Sequence, residues 1–127
     1  EIATSCIPLL AGLRCSLELL EKEGTELERL QKIQKWSLQL WNELQSIENV
    51  DPILLGPPPS GLVSFISHSR QAPKALVKFL GKQNLWIRDL EDPECLRACL
   101  HVMSKATEIK ALSEALRGIS VNDPLLS

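Results

Sequence analysis

Apolar residues recur at helical spacing through most of this chain. Between residues 25 and 49 the pattern is strongest. At about 100° per residue, Leu30, Ile33, Leu40, Trp41, Leu44 and Ile47 fall on one side. Trp36 stands on one flank of that side, Leu27 and Leu38 on the other, and Glu28, Lys32, Lys35, Gln39, Asn42 and Ser46 lie opposite. The apolar arc covers roughly half the circumference, wider than a two-stranded coiled-coil seam needs, so it predicts a helix with more than one neighbour. Thr25 and Glu28 have the spacing of a capping box and mark its start.

Residues 1–23 read as a first helix, with Pro8 in its first turn, where a missing N–H costs nothing. Gly24 stands where a left-handed cap is usual. Residues 1–50 are therefore a helical hairpin or one long helix. Residues 51–60, DPILLGPPPS, cannot continue a helix and read as a stiff proline-rich linker. Ser60 then caps a short helix that buries Leu62, Phe65 and Ile66. Pro73 ends it and opens a helix over residues 73–91 that buries Leu76, Phe79, Leu80, Ile87 and Leu90. Asp92-Pro93-Glu94 has the composition of another helix start. The last helix then covers residues 93–117, with Gly118 as its stop. Its apolar side drifts, from Cys95, Cys99, Met103 and Ala106 to Ile109, Leu112 and Leu116, so it bends or restarts near Thr107.

The pattern predicts an all-α fold: a compact four- to five-helix bundle built from two helical hairpins joined by the proline-rich linker. Residues 1–127 form a single domain. Composition agrees with a folded chain, at 44% hydrophobic and 24% charged residues with a net charge of −2. No apolar run approaches the ~20 residues that a membrane span needs. The first residue is not Met, which reads as a processed form or a fragment of a longer chain.

Charge is unevenly divided. Residues 1–51 carry five basic and nine acidic residues, residues 52–90 five and one, and residues 91–127 four and six. In the middle block Lys74, Lys78, Lys82 and Arg88 fall opposite the buried side of the expected helix, with Leu85 among them. A cationic stripe with one apolar anchor suits an acidic peptide or, less well without interleaved aromatics, a nucleic-acid backbone. Trp36 and Trp86 flank apolar arcs, where Trp serves either as a rim seal or as an interface anchor.

Candidate chemistry is sparse. His68 and His101 belong to different predicted helices, and neither has a nucleophile and an orienting group at readable spacing. Cys95, Cys99 and His101 lack the second ligand pair that a structural zinc site uses. Free thiols in an intracellular protein are the simpler reading of the four cysteines. No cofactor, no metal and no catalytic residue is expected.

The functional expectation is a non-enzymatic adaptor that binds a partner helix or short acidic peptide through Lys74, Lys78, Lys82, Leu85, Arg88, Trp36 and Trp86. It would work in the cytoplasm or nucleus, and homodimerisation or docking onto a longer parent chain fits the wide apolar arcs. A secreted four-helix cytokine-like signal and a nucleic-acid-binding domain using the Lys74–Arg88 face are the alternatives.

Overall fold

The computed structural model describes residues 6–119. Their order is α1 (Ile7–Glu21), α2 (Glu26–Gln45), β1 (Val50–Pro52), β2 (Leu62–Ser67), α3 (Pro73–Gly81), β3 (Arg88–Glu91), β4 (Glu94–Cys99) and α4 (Ala106–Arg117). Four helices accompany a four-stranded antiparallel sheet in the order β1-β2-β4-β3. The expected all-α bundle is thus wrong.

Within the described residues the two helices before residue 50 form where expected; residues 1–5 of the expected first helix lie outside them. Gly24 takes φ +100°, which only a residue without Cβ adopts at little cost. Thr25 accepts from the Glu28 backbone N–H, and the Glu28 carboxylate accepts from the Thr25 N–H at 2.7 Å. The packing differs from the expected hairpin. No residue of α1 is buried. On α2 the second half carries the burial, through Ser37, Leu40 and Leu44, with Ile47 following. Leu27, Leu30 and Leu38 stay exposed.

The errors fall on the strands. The supposed linker begins inside edge strand β1, whose Pro52 sits where a missing N–H is tolerated. The supposed short helix over residues 60–71 is β2. Its Val63 and Phe65 are fully buried while Leu62 and Ile66 are exposed, a period of two. The supposed helix over residues 73–91 stops at Gly81 and continues as β3. The supposed helix start at Asp92-Pro93 is the turn between β3 and β4, with a cis peptide bond. Only the last part of the supposed final helix is helical, as α4.

One face of the sheet carries the core. Val63 and Phe65 of β2 and Leu96 and Ala98 of β4 pack with Leu40 and Leu44 of α2, Leu76 and Leu80 of α3, and Ile109, Leu112 and Leu116 of α4. Two backbone devices hold α2 against the sheet. Ser37, fully buried, turns its hydroxyl towards the Ser60 carbonyl at 2.6 Å and the Ile33 carbonyl at 3.1 Å. Gly61 approaches the end of β4 and Ile33 of α2 so closely that a Cβ would clash with the Leu100 carbonyl oxygen and crowd the Ile33 side chain.

Candidate functional site

Side chains alternate across a sheet, so the strands that bury Val63, Phe65, Leu96 and Ala98 turn their alternate residues the other way. The register fixes what that second face holds. Ser64 of β2 stands directly opposite Arg97 of β4, and Arg97 directly opposite Arg88 of β3. These three form a polar row across the sheet. Cys95 opposite Leu90 lies on one side of it, with exposed Ile66 nearby. Leu62 opposite Cys99 lies on the other side. The open face therefore presents two cations between apolar margins.

The cations are the unusual part. Like charges directly opposite each other on neighbouring strands are destabilising, because the side chains stand only about 5 Å apart at Cβ. A structural pair would be offset by an acid. Among the described residues, neither Arg88 nor Arg97 forms an ion pair, although six other such pairs are present. Arg97 is half-buried and donates from Nε to the Ser64 hydroxyl at 3.0 Å. Arg88 is exposed. Two unneutralised guanidinium groups on one row suit an anion with two carboxylates, since each presents a planar fork that fits one carboxylate.

The residues singled out from the sequence are scattered. Lys74 is exposed and paired with Glu91 at 3.1 Å. Lys78 lies in the last turn of α3, Lys82 caps its C-terminal end, and both are exposed. Leu85 packs half-buried against the core. Trp36 also packs against the core, with its indole N–H buried and unpartnered and Lys35 Nζ 5.6 Å from the ring centroid. Trp86 is 79% exposed, with its ring over Gly81. The one-helix stripe does not exist, because α3 ends before Leu85 and Arg88. Of the set, only Arg88 joins the cation row. Arg97, its partner, was missed because ECLRAC read as part of a helix.

The four cysteines are unpaired; Cys6, Cys15 and Cys99 are exposed, Cys99 in spite of its place on the apolar side of the expected last helix. Cys95 is buried, and that burial pushes its thiol up, with the Arg97 charge acting in the opposite direction. His68 meets Asp51 at 2.7 Å on the exposed edge of the sheet. Among the described residues no group of acids, histidines and cysteines is placed to hold a metal. No helix among them is long and apolar enough to cross a membrane.

No family model and no curated protein sequence matches this chain. Solved structures do. The chain is 37% identical to a lysine-to-alanine mutant of C-DES with glycine covalently linked to its PLP cofactor, with a TM-score of 0.91 over 94% of this chain and 31% of that one. The complex of the cystine C-S lyase C-DES with its reaction product cysteine persulfide is 37% identical, with a TM-score of 0.89 over 93% of this chain and 31% of that one. A sphingosine-1-phosphate lyase of Burkholderia pseudomallei shares the fold at 16% identity and a TM-score of 0.57, over 76% of this chain and 22% of that one. The chain thus spans about a third of the length of C-DES. Its fold is that of a portion of PLP-dependent enzymes, which overturns the non-enzymatic adaptor, its all-α character and the exclusion of enzymes.

The residues of this chain do not themselves fit the cofactor. PLP is held covalently through a lysine amine in a desolvated site. All eight lysines here are exposed.

Proposed function

We propose that this chain forms the substrate-facing wall of a PLP-dependent C–S lyase acting on cystine or a close relative, with the cofactor held by the rest of a larger enzyme. The observation that carries the reading is the Arg88–Arg97 pair: two cations directly opposite on the open sheet face with no acid between them. The ligands seen with the relative, glycine and cysteine persulfide, are amino acids. Each bears an α-carboxylate, and cystine bears two. In this reading Arg97, half-buried and fixed by Ser64, takes the carboxylate of the half that reacts. Arg88, exposed and with no side-chain hydrogen bond among the described residues to anchor it, takes the carboxylate of the departing half. The apolar margins of the row, Leu62 and Cys99 on one side and Leu90 and Ile66 on the other, suit the methylenes and sulfurs between them. The chain's own contributions are binding, orientation and exclusion of water.

The partner in this reading is the cofactor-bearing remainder of the enzyme, not a helical or acidic peptide. Four unpaired thiols, three of them exposed, suit a reducing intracellular compartment.

Kinetics of the full enzyme test the reading. Arg97→Ala should lower kcat/KM for cystine at least about a hundredfold, equivalent to roughly 2.7 kcal/mol of lost transition-state binding. Arg97→Lys should remain impaired, because an ammonium cannot form the fork. Arg88→Ala should cost about tenfold with cystine and spare an S-alkylcysteine, which has one carboxylate. Equal losses on both substrates would remove the two-carboxylate assignment, and an active Arg97→Ala enzyme would remove the site.

A further inference from the structure

We infer that Ser64 is a positioning residue that selects which edge of the Arg97 guanidinium receives the substrate carboxylate. The inference rests on the carboxylate reading of Arg97 above. A guanidinium offers five N–H groups and two useful forks: a side-on fork using Nε and one terminal nitrogen, and an end-on fork using both terminal nitrogens. The Ser64 hydroxyl accepts from Arg97 Nε at 3.0 Å, so the side-on fork is occupied.

The register makes this contact a fixed feature. Ser64 and Arg97 are direct cross-strand partners in β2 and β4, the two central strands. Each strand is anchored through its neighbours on the buried face: Val63 and Phe65 flank Ser64, and Leu96 and Ala98 flank Arg97, all within the core. A serine side chain is short enough to stay near the sheet surface while the longer arginine folds its Nε onto it. The terminal nitrogens of Arg97 have no partner among the described residues. A carboxylate must therefore approach along the tip of the side chain and sits at one reach from β4.

Without the hydroxyl both forks open, and the same carboxylate can be gripped in two orientations. The affinity then changes little while the scissile bond is misplaced. Misplacement of a substrate by about 1 Å is enough to slow a reaction substantially. A serine that served only to satisfy the sheet would not produce that division between binding and turnover.

The test uses the full chain that carries this sequence, loaded with PLP, and L-cystine as the probe. In Ser64→Ala, kcat should fall about tenfold while KM and the calorimetric Kd for L-cystine stay within about threefold. Ser64→Thr keeps the hydroxyl and should restore kcat to within about twofold. A readout independent of turnover is hydrogen exchange of the Arg97 Nε–H, followed by NMR on arginine-labelled protein. It should quicken about tenfold in Ser64→Ala and return to the original rate in Ser64→Thr, because the Nε–H then regains its acceptor. Unchanged kcat in Ser64→Ala, or a Ser64→Thr enzyme as slow as Ser64→Ala, would overturn the inference. Arg97→Ala runs alongside. If it leaves cystine turnover intact, the carboxylate reading itself is wrong. If it abolishes turnover while Ser64→Ala changes nothing, only the role given to Ser64 is wrong.

Discussion

Cys95 and Cys99 lie two residues to either side of Arg97 on the same face of β4, yet their environments differ. Cys95 is 2% exposed and Cys99 is open to solvent. A thiol reacts as its thiolate, and burial disfavours that charged form more than the neighbouring arginine restores it. Iodoacetamide at mildly alkaline pH should therefore modify Cys6, Cys15 and Cys99 well before Cys95, and peptide mass mapping over a time course would show the order. Modification of Cys95 alongside Cys99 would mean that the open sheet face is looser than drawn. At this scale the sequence was half legible. Arg88 stood out because lysines and arginine crowd its block, although the stripe it was assigned to dissolves. Arg97 gave no comparable signal: its meaning comes from Arg88 and Ser64, which are 9 and 33 positions away and meet it only through strand register.

Among the elements, helix ends were readable and strands were not. Thr25, Glu28 and Gly24 act through local geometry, so their roles need no knowledge of the fold. The Glu28 carboxylate is held below the ordinary carboxylate range, first by its bond from the Thr25 backbone and then by the Thr25 side chain. A depressed carboxylate stabilises the folded state above the unfolded value and loses that contribution as pH falls through the folded one. The helicity of α2 should thus be constant near neutrality and begin to fray below the usual carboxylate range. In Glu28→Gln that acid-dependent fraying should be largely absent, as circular dichroism against pH would report. The strands were lost because their patterns are short and mixed. β2 alternates over only six residues, LVSFIS, and the same six place Leu62, Phe65 and Ile66 at helical spacing. β4 is apolar on both faces at Cys95 and Leu96, which erases alternation altogether. Asp92-Pro93 has the residue types of a helix start and of a turn alike, and only the pairing of β3 with β4 decides between them.

For the molecule as a whole, α1 is the element that the described residues leave unexplained by their own packing. Ile7, Leu9, Leu10, Leu13, Leu17 and Leu19 are each more than half exposed. A helix of 15 residues with no buried side chain is marginal in water. The solved relative aligns along 94% of this chain but is about three times longer, so in the proposed reading the remainder of the enzyme has ample chain to cover that face. Replacing Leu13 and Leu17 by Glu should leave the denaturation midpoint of the isolated 127-residue chain almost unchanged. The same pair in the full enzyme should cost on the order of 3 kcal/mol or more, since each buried leucine contributes about 1.5–3 kcal/mol. Equal effects in both proteins would mean that α1 finds its cover within this chain.

The openness of the cation row has a consequence for where recognition resides. An arginine facing bulk water holds a carboxylate weakly, because a high dielectric and dissolved salt screen the attraction to about 1 kcal/mol or less. Taken alone, this chain is then a poor receptor for amino acids in solution. In the proposed reading, selectivity belongs to the assembled enzyme, where a second surface expels the solvent and lowers the local permittivity around Arg88 and Arg97.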